Sequence, residues 1–116
     1  MAYTYVRGYA WADLDRNGSR FRFVTTHLES EVADLTLAQA EELVADQAAA
    51  TDRPVVLVCD CNSDPAATAP GPGDGVPRNA AYRRLIGAGF ADQWSALGSQ
   101  VGPGFTALLS ETVDDP

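Results

Sequence analysis

The sequence predicts an α/β fold, and three stretches carry that prediction. Two β-rich runs flank Asn17-Gly18, an amphipathic segment begins near Thr36, and an apolar run, Val55-Val56-Leu57-Val58-Cys59, stands between Pro54 and Pro65. Tyr3 to Leu14 reads as a strand rich in Tyr, Val, Trp and Thr, with Arg20 to Thr26 as its partner. Asn-Gly between such runs is a strong hairpin signal, because both residues tolerate positive φ. A second motif overlaps it. Asp13-x-Asp15-x-Asn17-Gly18 matches the first half of an EF-hand calcium loop, but the last ligand position holds Val24 and the flanks are strand-like. The hairpin is the expectation, with the calcium loop as its alternative.

The second strand delivers His27, the single histidine, to its end. Alternation places Phe21, Phe23, Thr25 and His27 on one face and Arg22, Val24 and Thr26 on the other. Beyond a polar loop with Glu29, Glu31 and Asp34, Thr36-Leu37-Ala38-Gln39 fits a capping box opening a helix. Leu37, Ala40, Leu43, Val44 and Gln47-Ala48 form its apolar stripe, and it should end near Thr51 as a crossover covering the sheet. The following run is short, β-branched and bounded by prolines, which reads as a buried strand. Along it Val56, Val58, Asp60 and Asn62 share one face, so a carboxylate and a carboxamide aim at one point, a pairing that suits hard cations. Asp and Asn at a strand exit are more often turn formers, taken by themselves, and a lone histidine at a strand end is commonly structural. Cys59 and Cys61 are expected to pack as small apolar residues, since bridging within an extended strand would distort it, and Cys-x-Cys with one distant His makes no zinc site.

Residues 63–77 hold four prolines and three glycines and read as an irregular surface loop. Arg78 to Ala88 reads as a helix with Asn79 as N-cap, Tyr82, Leu85 and Ile86 inward, and Gly87 or Gly89 at its end. Arg83 and Arg84 read first as a solvated face and second as phosphate contacts.

One chain of 116 residues is one domain's worth. With 46% hydrophobic and 21% charged residues its composition is that of an ordinary soluble protein, and no run is long enough to span a membrane. Met1 to Val6 shows no secretory signal, and the compartment stays open. Sixteen Asp and Glu stand against eight Arg and no Lys, a net charge of −8, which counts against nonspecific gripping of nucleic acid.

Taken together, Thr26-His27-Leu28-Glu29, a helix carrying Gln39, Val-Val-Leu-Val-Cys-Asp60-Cys-Asn62, Gly89-Phe90-Ala91-Asp92-Gln93-Trp94 and Gly104-Phe105-Thr106 resemble the metal-dependent endonuclease/exonuclease/phosphatase family. That family includes DNase I-like nucleases, abasic-site endonucleases, neutral sphingomyelinases and inositol polyphosphate phosphatases. The resemblance implies a DNase I-like two-layer β-sandwich with flanking helices, of which residues 1–116 would be a single domain forming the central fragment, truncated at both ends. It implies divalent-metal-dependent phosphoester hydrolysis with Mg²⁺ or Mn²⁺. Asp60 would orient or deprotonate the attacking water, Asn62 would hold the phosphate, and His27 would donate to a phosphoryl or leaving oxygen. Asp60, through water, and Asn62 are the candidate metal ligands. Asp92 and Thr106 would support the site.

The family's upstream Asn and Glu and its downstream Asp-His pair have no counterpart in this sequence. The expectation is therefore little or no activity from the chain alone, with nucleic acid reached only through regions not present here. The alternative is a noncatalytic half-sandwich, binding or self-associating as a homodimer over exposed sheet edges. The identity of the phosphoester, whether DNA, RNA, phospholipid or inositol phosphate, is left open.

Overall fold

The computed structural model describes residues 6–97. They form a small mixed α/β unit with one three-stranded sheet in the order β1-β2-β3. Strand β1 (Tyr9–Arg16) turns directly into β2 (Ser19–His27). Asn17 at φ 53° and Gly18 at φ 85° make the hairpin turn, and Asp15 Oδ1 accepts the Gly18 N–H at 2.8 Å. Two positive φ angles in a two-residue loop match the right-handed twist of the flanking strands. The carboxylates of the alternative calcium loop are engaged otherwise: Asp13 receives Arg22 Nε at 2.8 Å and lies 3.3 Å from Arg53 Nη1. The first strand starts later than expected, at Tyr9, and Tyr3 to Tyr5 lie outside the described residues.

From β2 the chain crosses through α1 (Ala33–Leu43) and a π-helical segment (Val44–Ala48) into β3 (Val55–Asp60), which pairs with β2 in parallel. A parallel pair needs such a crossover, and the helix lies on one sheet face. That face carries Tyr9, Val24, Val55 and Leu57, packed with Leu28, Ala40, Leu43 and Val44 from the crossover side. The other helices are α2 (Ala80–Gly87), whose Ala81 and Leu85 complete the core, and the short α3 (Gln93–Leu97). Ile86, expected inward, is 40% exposed. Asn79 precedes α2 without capping it: its Nδ2 donates to the Pro65 carbonyl, and its Oδ1 takes none of the first N–H groups of the helix.

Among the described residues, the opposite face of the sheet is bare. The register sets Ala12 beside Phe23 and Phe23 beside Val56, with Thr25 beside Val58. Leu14, Val56 and Val58 on this face are 41%, 44% and 52% exposed.

Two local expectations are corrected, the capping box and the unbridged cysteines. The capping box of Thr36 and Gln39 does not form, because α1 begins at Ala33, a turn earlier. Thr36 Oγ1 donates to the Glu29 carbonyl, Gln39 Oε1 accepts the Glu29 N–H, and the free Ala33 N–H is taken by Asp74 Oδ1 at 3.0 Å. The proline-rich loop is tied down by that same Asp74, which also receives Gly71 N and Arg78 Nε. A Cβ on Gly71 would stand 2.7 Å from Arg78 Nε and from Asp74 Oδ2, so the glycine lets the backbone close over the pair. Finally, Cys59 and Cys61 are joined in a disulfide. Their Cα atoms are 5.1 Å apart; an extended strand would separate them by about 6.6 Å. The strand has ended at Asp60, and the bend brings the two sulfurs together.

Candidate functional site

The candidate residues gather where the two parallel strands end. Open α/β sheets place ligand sites at the carboxyl ends of parallel strands, where loops diverge and backbone groups lose their ladder partners. His27 and Asp60 are register partners on the bare face. His27 Nε2 lies 3.5 Å from Asp60 Oδ2, with the side chains 53% and 64% exposed. The imidazole and the carboxylate therefore form a solvent-facing pair.

Asn62 joins them by a route that strand alternation does not anticipate. Its expected place on the face of Val56, Val58 and Asp60 assumed a continuing strand, but Asn62 has φ 44°. Asn is among the few side-chain-bearing residues that accept this left-handed region readily. The ladder ends with Leu28 N donating to the Asp60 carbonyl. A parallel ladder would continue with the Asn62 N–H donating to the Leu28 carbonyl. Instead the Asn62 carboxamide Nδ2 takes that carbonyl at 2.9 Å, and the backbone N–H turns back onto Asp60 Oδ1 at 3.2 Å. The side chain thus replaces a backbone bond, and Asp60 and Asn62 are tied to each other and to the residue after His27.

The loop that follows His27 is held from within. Glu29 is 7% exposed, and its Oε1 accepts the N–H groups of Ser30 and Glu31. Arg78 donates to the Ser30 and Glu31 carbonyls, so the Asp74–Arg78 pair links the loop after β2 with the loop after β3. Asp74 is nearly enclosed, with 1% of its side chain exposed. The N–H groups of Ala33 and Gly71 and the Arg78 guanidinium outweigh desolvation and hold its carboxyl below the ordinary carboxylate range. Sequence reading passed over Glu29, Asp74 and Arg78 as site-organising residues. The only local signal was an Asp and an Arg four apart inside a loop of glycines and prolines.

Asp92 stands apart from the three. It accepts the N–H groups of Trp94 and Ser95 at the start of α3, and the hydroxyls of Ser95 and Tyr82. The Ser95 hydroxyl foremost, then the Ser95 N–H, Tyr82 and Trp94, lower its carboxyl against the opposing effect of burial. It joins α2 to α3 beside a cavity of about 280 Å³ that Leu57, Cys59 and Cys61 also line. Thr106 lies outside the described residues.

Among the described residues there is no group of three or more His, Cys, Asp or Glu side chains that could hold a metal ion. Asp60 offers a hard, exposed carboxylate, and the half-buried Asn62, two residues on, carries a carboxamide oxygen. Such a donor set fits Mg²⁺ as an ion that keeps most of its waters, which is how Mg²⁺ commonly binds, and gives no all-protein cage. None of the helices over the described residues is long and apolar enough to cross a membrane. Comparison of the chain with models of known protein families, with curated proteins and with solved structures finds no match in any of the three.

Proposed function

We propose that this chain supplies part of the centre of a divalent-metal-dependent phosphoester hydrolase of the endonuclease/exonuclease/phosphatase type. The observation that carries this reading is the meeting of His27, Asp60 and Asn62 at the ends of β2 and β3. A bare apolar sheet face opposite the helix-covered one supports the matching architecture, since a DNase I-like sandwich lays a second sheet there.

Each residue has a chemical task in this reading. The Asp60 carboxylate accepts a proton from a water at the rim and sets its direction of attack. His27, 3.5 Å from that carboxylate, donates a proton or hydrogen bond to a phosphoryl or leaving oxygen. The Asn62 Nδ2 uses one proton on the Leu28 carbonyl and keeps a second for a phosphoryl oxygen. Asp60 and Asn62 would hold the metal, Mg²⁺ or Mn²⁺, which when bound offsets charge on the phosphate. Asp92 contributes rigidity beside the site through α2 and α3.

The test uses Mn²⁺ as a paramagnetic probe on the isotope-labelled chain, with turnover of a generic phosphodiester measured in parallel. Selective broadening of the Asp60, Asn62 and His27 signals at low Mn²⁺ is expected. Broadening spread evenly over the sixteen acids of the chain would overturn the assignment. In an active form of the protein, Asp60→Ala should abolish turnover with the circular dichroism spectrum unchanged.

The bare face also favours a second reading, a noncatalytic module that pairs with another copy of itself. Concentration-dependent light scattering together with no metal response at Asp60 would select it over the hydrolase.

A further inference from the structure

The disulfide between Cys59 and Cys61 encloses Asp60 within a sequence separation of 2. Closing so short a loop removes little freedom from the unfolded chain, so the bond is a poor fold staple. It is also reachable. Both cysteines are half-buried and form, with Leu57, Tyr82, Leu85 and Phe90, the wall of the 280 Å³ cavity beside α2. We propose that Cys59 and Cys61 are a reversible dithiol–disulfide site, and that its redox state decides whether the Asn62 carboxamide is held at the His27–Asp60 rim.

The coupling follows from the strand end. With the sulfurs joined, the chain bends after Asp60, Asn62 adopts φ 44°, and its side chain takes the Leu28 carbonyl. Once the bond opens, Cys61 is free to extend β3 by one step. The Asn62 N–H then reaches the Leu28 carbonyl as the next rung of the parallel ladder, and the carboxamide is released. The reaction partner is a thiol–disulfide couple. One thiolate attacks a sulfur of the pair, forming a mixed disulfide and expelling the other cysteine as a thiolate that takes up a proton. A second thiol attacks the mixed disulfide and leaves as the oxidised partner. Two partner thiols become one disulfide, and the protein disulfide becomes two thiols.

The proposal stands whether or not the phosphoester reading holds, because its readouts are thiol state and amide signals. The 116-residue chain is equilibrated with reduced and oxidised dithiothreitol, and separately with reduced and oxidised glutathione. Each sample is quenched with an alkylating agent for intact mass and followed by amide NMR. Two thiols should appear and disappear reversibly in both couples, with a glutathione adduct only in the second. Reduction should slow exchange of the Asn62 backbone amide at least tenfold and move its side-chain amide signals to solvent-like positions. Cys61→Ser should show the reduced pattern in either buffer. Thiols that stay free under excess oxidised couple would overturn the proposal, as would reversible reduction that leaves the Asn62 signals unchanged. Loss of the helical circular dichroism signal on reduction and in Cys61→Ser alike would make the bond a structural staple and also overturn it.

Discussion

Asn62 offers the sharpest test of the site, because two separable effects meet in one residue. Its Nδ2 bond to the Leu28 carbonyl at 2.9 Å is part-buried, and a bond of this kind contributes about 1 kcal/mol net. Its φ of 44° costs a residue with a Cβ and no local polar compensation about 1–2 kcal/mol. Asn62→Ala loses the bond and bears the φ cost, and should destabilise the fold by about 2–3 kcal/mol. Asn62→Gly also loses the bond but is relieved of the φ penalty, while adding about 0.5–1 kcal/mol of unfolded-state entropy. The glycine variant should therefore be the more stable of the two, by about 0.5–1 kcal/mol. Urea denaturation followed by the fluorescence of Trp11 and Trp94 measures both differences. With a slope of about 1–1.5 kcal/mol/M, the alanine variant's midpoint should fall by about 1.3–3 M and the glycine variant's by roughly two-thirds as much. If glycine proves equal to alanine or worse, the left-handed turn at Asn62 is wrong, and with it the account of how the carboxamide reaches the rim.

Other consequences follow from the same structure. Leu28→Ala, at a side chain 3% exposed, should cost about 2–5 kcal/mol and disturb the His27 and Asn62 amide signals together. Val56→Thr with Val58→Thr on the bare face should change unfolding stability by less than about 0.5 kcal/mol while reducing concentration-dependent light scattering. A larger loss of stability would mean that this face is already covered. Asp92 is held below its ordinary value chiefly by the Ser95 hydroxyl, so its contribution is complete above the unfolded carboxylate value of about 3.9. That contribution is lost as pH falls through the lower folded value, and Asp92→Asn should flatten the acid limb of a stability–pH curve. Asp60→Ala should remove site-selective Mn²⁺ broadening at Asn62 and His27 without altering unfolding stability by more than about 0.5 kcal/mol, since its carboxylate is 64% exposed.

Much of the architecture was legible from local pattern. Asn17-Gly18 between two β-rich runs marks the hairpin, and alternation along Phe21 to His27 assigns both faces of β2 correctly. The proline-bounded run Val55–Asp60 and the amphipathic stripe before it foretell a strand–helix–strand unit. Periodicity carries this information because each residue's face depends only on its near neighbours. Tertiary structure alone decided the rest. The start of α1 depends on Asp74, forty-one residues away, whose carboxylate takes the Ala33 N–H three residues before the start that a Thr36 capping box would set. The position of Asn62 depends on the Leu28 carbonyl just past the end of β2, thirty-four residues distant, and on a bend that alternation does not register. Hydrogen bonds of this kind join groups that only the folded chain brings within 3 Å, so no window of sequence contains both partners.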